Sequence, residues 1–124
     1  MSYFEELHPE MDRYLEDTAS AEPEILKRLR KETFQKTTQP HMISGYLQGR
    51  FLSLISKMIS PKNILEIGTF TGYAALCLAE GLQKDGKLTT LDVNEDLAYI
   101  PKKYFAESEF ASKIEFRHEK TLNF

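Results

Sequence analysis

Apolar positions recur at helical spacing through the first sixty residues and gather into short runs after that. Met11, Tyr14 and Leu15 share one helical face. Ser20-Ala21-Glu22-Pro23 interrupts it, and Pro23 suits the first turn of a second helix, where its missing N–H costs nothing. That helix should turn Ile25, Leu26 and Leu29 inward and Lys27, Arg28, Arg30 and Lys31 outward. The basic cluster reads first as a solvated face and second as a contact for an acidic partner. Thr37-Thr38-Gln39-Pro40-His41 is a polar connector. Phe51, Leu52, Ile55, Met58 and Ile59 then predict a well-buried third helix from about Ser44 to Ile59. Ser60-Pro61-Lys62 ends it, because proline cannot continue the hydrogen-bond ladder.

The pattern changes at residue 63. Asn63-Ile64-Leu65-Glu66-Ile67, closed by Gly68, reads as a buried strand. Residues 73–83 read as a helix through Ala74, Ala75, Leu76, Leu78, Ala79 and Leu82. Lys87-Leu88-Thr89-Thr90-Leu91, stopped by Asp92, is a second strand. Residues 95–109 read as a second helix of this half, with Pro101 marking a kink or a late start. Lys113-Ile114-Glu115-Phe116-Arg117 is a third, more edge-like strand. The predicted class is α/β: amino-terminal helices, then a β-α-β-α-β Rossmann-like parallel sheet with right-handed crossovers, truncated after strand three. The organisation is a helical segment over 1–60, packing on the sheet, and a partial Rossmann-like domain over 61–124. In such sheets ligands bind beyond the carboxyl ends of the strands. Those ends are Glu66 to Gly72, Asp92 to Asn94 and His118 to Thr121.

Composition narrows the field without deciding it. The chain has 124 residues, 41% apolar and 28% charged, with net charge −3. These values fit one globular domain and exert no global pull toward nucleic acid. No apolar run approaches the roughly 18 residues of a membrane span, and no signal peptide opens the chain. The single cysteine, Cys77, excludes an internal disulfide and suggests a reducing, cytoplasmic setting. It lies on an apolar helix and reads as core filler. His8, His41 and His118 are scattered, and none is a strong catalytic or metal candidate.

The chemistry concentrates in Glu66-Ile67-Gly68-Thr69-Phe70-Thr71-Gly72-Tyr73. A P-loop needs a lysine and a spacing that are absent. A dinucleotide fingerprint needs G-x-G-x-x-G, whereas Gly68 and Gly72 are spaced G-x-x-x-G. This spacing disfavours a nicotinamide enzyme, and Glu66 would repel a pyrophosphate. A nucleoside ligand without phosphates meets neither objection. S-adenosylmethionine (SAM) is such a ligand, and its sulfonium and ammonium groups favour nearby carboxylates. Asp92, twenty-four residues beyond Gly68, is placed to accept hydrogen bonds from ribose hydroxyls. The competing structural readings are a strand-end ion pair for Glu66 and a helix N-cap for Asp92.

Glu24-Ile25-Leu26-Lys27-Arg28-Leu29 before Glu32-Thr33, Phe51-Leu52-Ser53-Leu54-Ile55 and, above all, Ile64 through Leu76 resemble the metal-dependent O-methyltransferase family that includes catechol and caffeoyl-CoA O-methyltransferases. The resemblance covers nearly the whole chain past residue 10 and corresponds to the family's amino-terminal portion. It implies that Met42 and Ser44 close over the cofactor. It implies that Glu66, Gly68, Thr69 and Ala74 hold the aminoacid arm, with Gly72 and Tyr73 in the same cofactor-binding set. Asp92 matches the ribose-binding acid, and Thr121 falls beside the adenine. The family usually has a hydroxyl residue where this chain has Ala74.

The same resemblance implies a SAM-dependent methyl transfer to a hydroxyl of a small, catechol-like acceptor. It also implies Mg²⁺ or a similar divalent cation, with ligands beyond residue 124, and a homodimer. The 124-residue chain by itself is expected to be inactive, with no catalytic residue of its own. It is also expected to associate through the open Asn63–Ile67 edge or the helical face around Phe51. The alternative is a non-catalytic assembly fragment of the same fold.

Overall fold

The computed structural model describes residues 9–38 and 45–120. Its elements are α1 (Pro9–Thr18), α2 (Glu24–Lys36), α3 (Tyr46–Ile59), β1 (Asn63–Ile67), α4 (Tyr73–Ala79), β2 (Lys87–Asp92), α5 (Tyr99–Glu107) and β3 (Ile114–His118). The strands form a parallel sheet in the order β1-β2-β3, with Ile64 opposite Leu88 and Leu88 opposite Ile114. The α/β class and the parallel sheet are therefore as the sequence predicts. Residues 41, 42, 44 and 121 lie outside the described residues, as does His8.

Each strand in this order steps the same way across the sheet. Two right-handed crossovers then place α4 and α5 on one face. Ile64, Leu88, Ile114 and Phe116 point to that face and pack with Leu76, Ile100 and Phe105. Leu26 and Leu29 of α2 join the same cluster and are 1% and 0% exposed. The inward prediction for α2 thus matches the structure.

The opposite sheet face carries Leu65 and Ile67, which are 52% and 62% exposed. The expectation of a buried first strand fails on that face at Leu65 and Ile67, although Leu91 of β2, opposite Ile67, is buried there. The third helix differs more. Phe51, Ile55, Met58 and Ile59 are exposed, and the buried residues of α3 are Gly49, Ser53 and Ser56. Small side chains let α3 approach α4 closely. A Cβ on Gly49 would lie 2.7 Å from the Tyr73 ring and 2.9 Å from Cys77 Sγ. The Ser56 hydroxyl donates to the Leu78 carbonyl at 2.6 Å, and the Arg50 guanidinium takes both Glu80 oxygens. Cys77 is fully buried, and burial pushes its thiol up to about 12, as suits core filler.

Smaller differences have local causes. α1 exposes Met11, Tyr14 and Leu15 and buries Asp12. α4 ends at Ala79 rather than residue 83, in turns that lead to Gly81. α5 starts late, at Tyr99, which leaves Pro101 in the first turn where no intrahelical N–H bond is lost. Arg30 is not part of a solvated face. It donates to both oxygens of Glu22, at 3.1 and 2.8 Å, and Tyr73 donates to the same carboxylate at 2.6 Å. Burial alone would raise the Glu22 carboxyl. The Arg30 and Tyr73 hydrogen bonds outweigh it and hold the group below its ordinary range.

Candidate functional site

The carboxyl ends of β1 and β2 open into a cleft of about 700 Å³. Gly68 and Phe70 line it from the loop after β1. Asp92, Asn94, Asp96 and Leu97 line it from the segment after β2, and Lys36, Thr37 and Thr38 from the end of α2. The loop is tight because Gly68 and Gly72 take φ of +95° and +96°, a region open to glycine at little cost. Gly72 also lies under the Phe105 ring, leaving no room for a Cβ.

Phe70 shares the left-handed region, with φ +50°, but has a side chain. Such a residue is strained by about 1–2 kcal/mol unless its surroundings hold it. Asp92 holds it: Oδ2 accepts the Phe70 N–H at 2.7 Å. Asp92 Oδ1 accepts the N–H groups of Val93 and Asn94 at 2.7 and 3.0 Å. A carboxylate offers about four acceptor positions. Three backbone donors leave room for one more without loss. The carboxylate therefore fixes both loops to each other and still presents an acceptor to the cleft.

Glu66 is the penultimate residue of β1, just before the loop. Its partner in register is Thr90, and Thr90 Oγ1 donates to Glu66 Oε1 at 2.5 Å. Thr69 Oγ1 lies 2.6 Å from Thr90 Oγ1. Burial pushes the Glu66 carboxyl up to about 7, the Thr90 hydrogen bond opposes this, and nearby Asp92 adds to it. Among the described residues Glu66 makes no ion pair, so no strand-end ion pair accounts for it. At the far side His118 Nε2 lies 2.8 Å from the Val93 carbonyl and ties β3 to the segment after β2.

The structure thus brings Glu66, Gly68, Thr69 and Asp92 together. Of the predicted residues Gly68 and Asp92 line the cleft, whereas Glu66, Thr69, Gly72, Tyr73 and Ala74 lie behind its lining; Thr69 is 3% and Tyr73 1% exposed, the latter with its hydroxyl on Glu22. Met42, Ser44 and Thr121 lie outside the described residues. Sequence reading missed Thr90, Phe70 and the end of α2. The Thr89-Thr90 pair inside an otherwise apolar strand was the available signal for Thr90, since one of two adjacent strand residues must face the core side.

The sequence matches the model of the O-methyltransferase family over residues 16–124. The chain belongs to that family. It is 38% identical over 112 residues to caffeoyl-CoA O-methyltransferase 2 of Petunia hybrida, covering 89% of this chain and 46% of that protein. Among solved structures, the O-methyltransferase TomG of Streptomyces achromogenes, in complex with SAM, superposes with a TM-score of 0.85 at 28% identity. The match covers 99% of this chain and 54% of TomG. An O-methyltransferase from Bacillus cereus in complex with SAH (S-adenosylhomocysteine) gives 0.82 at 28% identity, over 91% and 51% of the two chains. The chain spans about half the length of the curated relatives it matches.

Among the described residues, no group of three His, Cys, Asp or Glu side chains is arranged to hold a metal ion. No described helix is long and apolar enough to cross a membrane.

Proposed function

We propose that this chain forms the SAM-binding half of a methyltransferase that methylates a hydroxyl of a small, catechol-like acceptor. The carrying observation is the convergence of Glu66 and Asp92 at the ends of adjacent parallel strands, beside a tight loop free of bulky polar groups. Two carboxyl groups fit a cationic nucleoside better than a phosphorylated one. The ligands named for the solved relatives, SAM and SAH, support the same reading. When bound, SAM supplies a methyl group on a sulfonium for in-line displacement by the acceptor oxygen.

The residues then divide the work of binding. Asp92 accepts a ribose hydroxyl through its remaining acceptor position and keeps Phe70 in place. Glu66 faces the cationic aminoacid arm, and Gly68 lets the backbone approach it. Thr69 acts on the arm through Thr90 and then Glu66, and Gly72, Tyr73 and Ala74 shape the loop from behind. Met42, Ser44 and Thr121 complete the set on the strength of the family resemblance alone. That resemblance also supports a divalent cation and a homodimer in the whole protein. The described residues do not form a metal site. An assembly role is the second reading, favoured by the exposed apolar face of α3.

Calorimetric titration with S-adenosylhomocysteine, with NAD as control, tests the proposal. Saturable binding of the former alone is expected, and Asp92→Asn should weaken it roughly tenfold, the scale of one lost charged hydrogen bond. The Asn variant keeps one of the two oxygens that accept the Phe70 N–H and the Val93 and Asn94 N–H groups, so circular dichroism and urea unfolding of the variant are read beside its binding to separate a lost ligand contact from a disturbed loop. A folded chain that binds neither ligand would favour the assembly reading.

A further inference from the structure

Thr69 and Thr90 are 3% and 0% exposed, so water does not compete for their hydroxyls. Each hydroxyl has a single hydrogen. Thr90 spends its own on Glu66 Oε1, so the Thr69 hydrogen must serve the 2.6 Å contact between the two. The chain of donors therefore runs Thr69 to Thr90 to Glu66, with both O–H dipoles aimed at the carboxylate. A proton on Glu66 Oε1 would require the reverse order, with Glu66 donating to Thr90 and Thr90 to Thr69. A proton on Oε2 would leave Oε1 a carbonyl acceptor and the order unchanged, so the ionised carboxylate requires the forward sense and only a proton on Oε1 reverses it.

We propose that Thr90, backed by Thr69, is the positioning residue that orients Glu66 for the cofactor's ammonium group and couples cofactor binding to release of the Glu66 proton. The inference rests on the SAM-site reading above. The groups facing Glu66 are the Thr90 hydroxyl and the Asp92 carboxylate, a like charge, from β2, and through Thr90 the Thr69 hydroxyl of the loop. Among the described residues no cation pairs with Glu66. The positive charge that keeps it ionised is then the ligand's own. Before binding, burial and Asp92 favour the protonated form, and only the Thr90 hydrogen bond opposes them. A ligand that selects the ionised form must displace that proton.

Two measurements decide this, and they fail separately from the SAM-site reading. The Glu66 carboxyl midpoint is read by carbon NMR on glutamate-labelled chain, with the signal assigned by Glu66→Gln. Thr90→Val should raise the midpoint by about one pH unit, since the hydrogen bond that favours the charge is gone, and Thr90→Ser should restore it. Thr69→Val, one step back, should raise it less and serves if Thr90→Val fails to fold. An unchanged or lowered midpoint in both Val variants overturns the role of Thr90.

S-adenosylhomocysteine is then titrated at pH 6 and pH 8 in buffers of different ionisation enthalpy. Binding should weaken roughly tenfold at pH 6, with about one proton released per ligand. Adenosine, which lacks the ammonium, should bind alike at both. Equal binding of S-adenosylhomocysteine with no proton release overturns the coupling while leaving the SAM site standing. No binding at either pH overturns the SAM-site reading and the coupling with it, and the carboxyl midpoint still decides whether Thr90 controls Glu66.

Discussion

Glu66 works against the fold that holds it. Its carboxyl sits at the end of a strand on the covered face of the sheet, with its ordinary value of 4.5 pushed up to about 7. A raised carboxyl destabilises the folded chain as pH climbs. The unfolded chain releases its proton near 4.5, and the folded one holds it until about 7, so stability falls across that window and stays low above it. Glu66→Gln removes the charge and keeps an oxygen for the Thr90 hydroxyl. It should stabilise the chain by about 2 kcal/mol at pH 8 and change little at pH 4, read by urea denaturation at both. The same variant should bind S-adenosylhomocysteine less well. Asp92 shows the opposite economy at the same site, since its bonds to Phe70, Val93 and Asn94 fix the loops it serves. The helix-cap reading of Asp92 fails, since α5 opens at Tyr99 with Ala98 at its N-cap; the carboxylate instead holds its own turn and the neighbouring loop, with an acceptor position to spare.

Among the elements, α3 shows how hydrophobic spacing can misdirect. Its large apolar residues predict the buried side, yet the contact with α4 is made by Gly49, Ser53 and Ser56. Helix axes come close only where side chains are small, and the hydrogen bond from Ser56 to the Leu78 carbonyl needs that closeness. Gly81, just past α4, lies directly against Ser56, where an added Cβ would overlap the Ser56 backbone. Gly81→Ala should therefore destabilise the chain by about 3 kcal/mol, measured by thermal or urea unfolding, because backbone on both sides must shift. Ser56→Gly in the same background should not rescue it, since the overlap includes backbone atoms. On the other side of α4, the Glu22–Arg30–Tyr73 cluster ties α2 to the residue that opens the helix. The helical segment is thereby fixed to the edge of the site.

At the scale of the whole molecule, a sheet that steps one way covers one face. Phe51, Leu54, Met58, Leu65 and Ile67 are all more than half exposed. Apolar area of this kind, beside an open parallel edge at β1, drives association. Copies of the chain should self-associate at micromolar concentration in sedimentation velocity, and Met58→Glu with Ile67→Lys should return them toward monomer. A monomer without those changes would show that the edge is quiet. The sequence by itself determined the element order, the parallel α/β class, the inward face of α2 and the Glu66, Gly68, Asp92 constellation. Each depends on local spacing, on glycine's access to positive φ, or on the rule that ligands meet strand ends. Only the tertiary structure decided the rest. That Thr90 rather than Thr89 meets Glu66 follows from strand register, which pairs residues twenty-four apart. That α3 buries its small residues follows from how near α4 can come. That Tyr73 serves Glu22 rather than the cleft follows from the direction in which α4 leaves the loop. Those are distances between segments far apart in the chain, and no local pattern of residues encodes them.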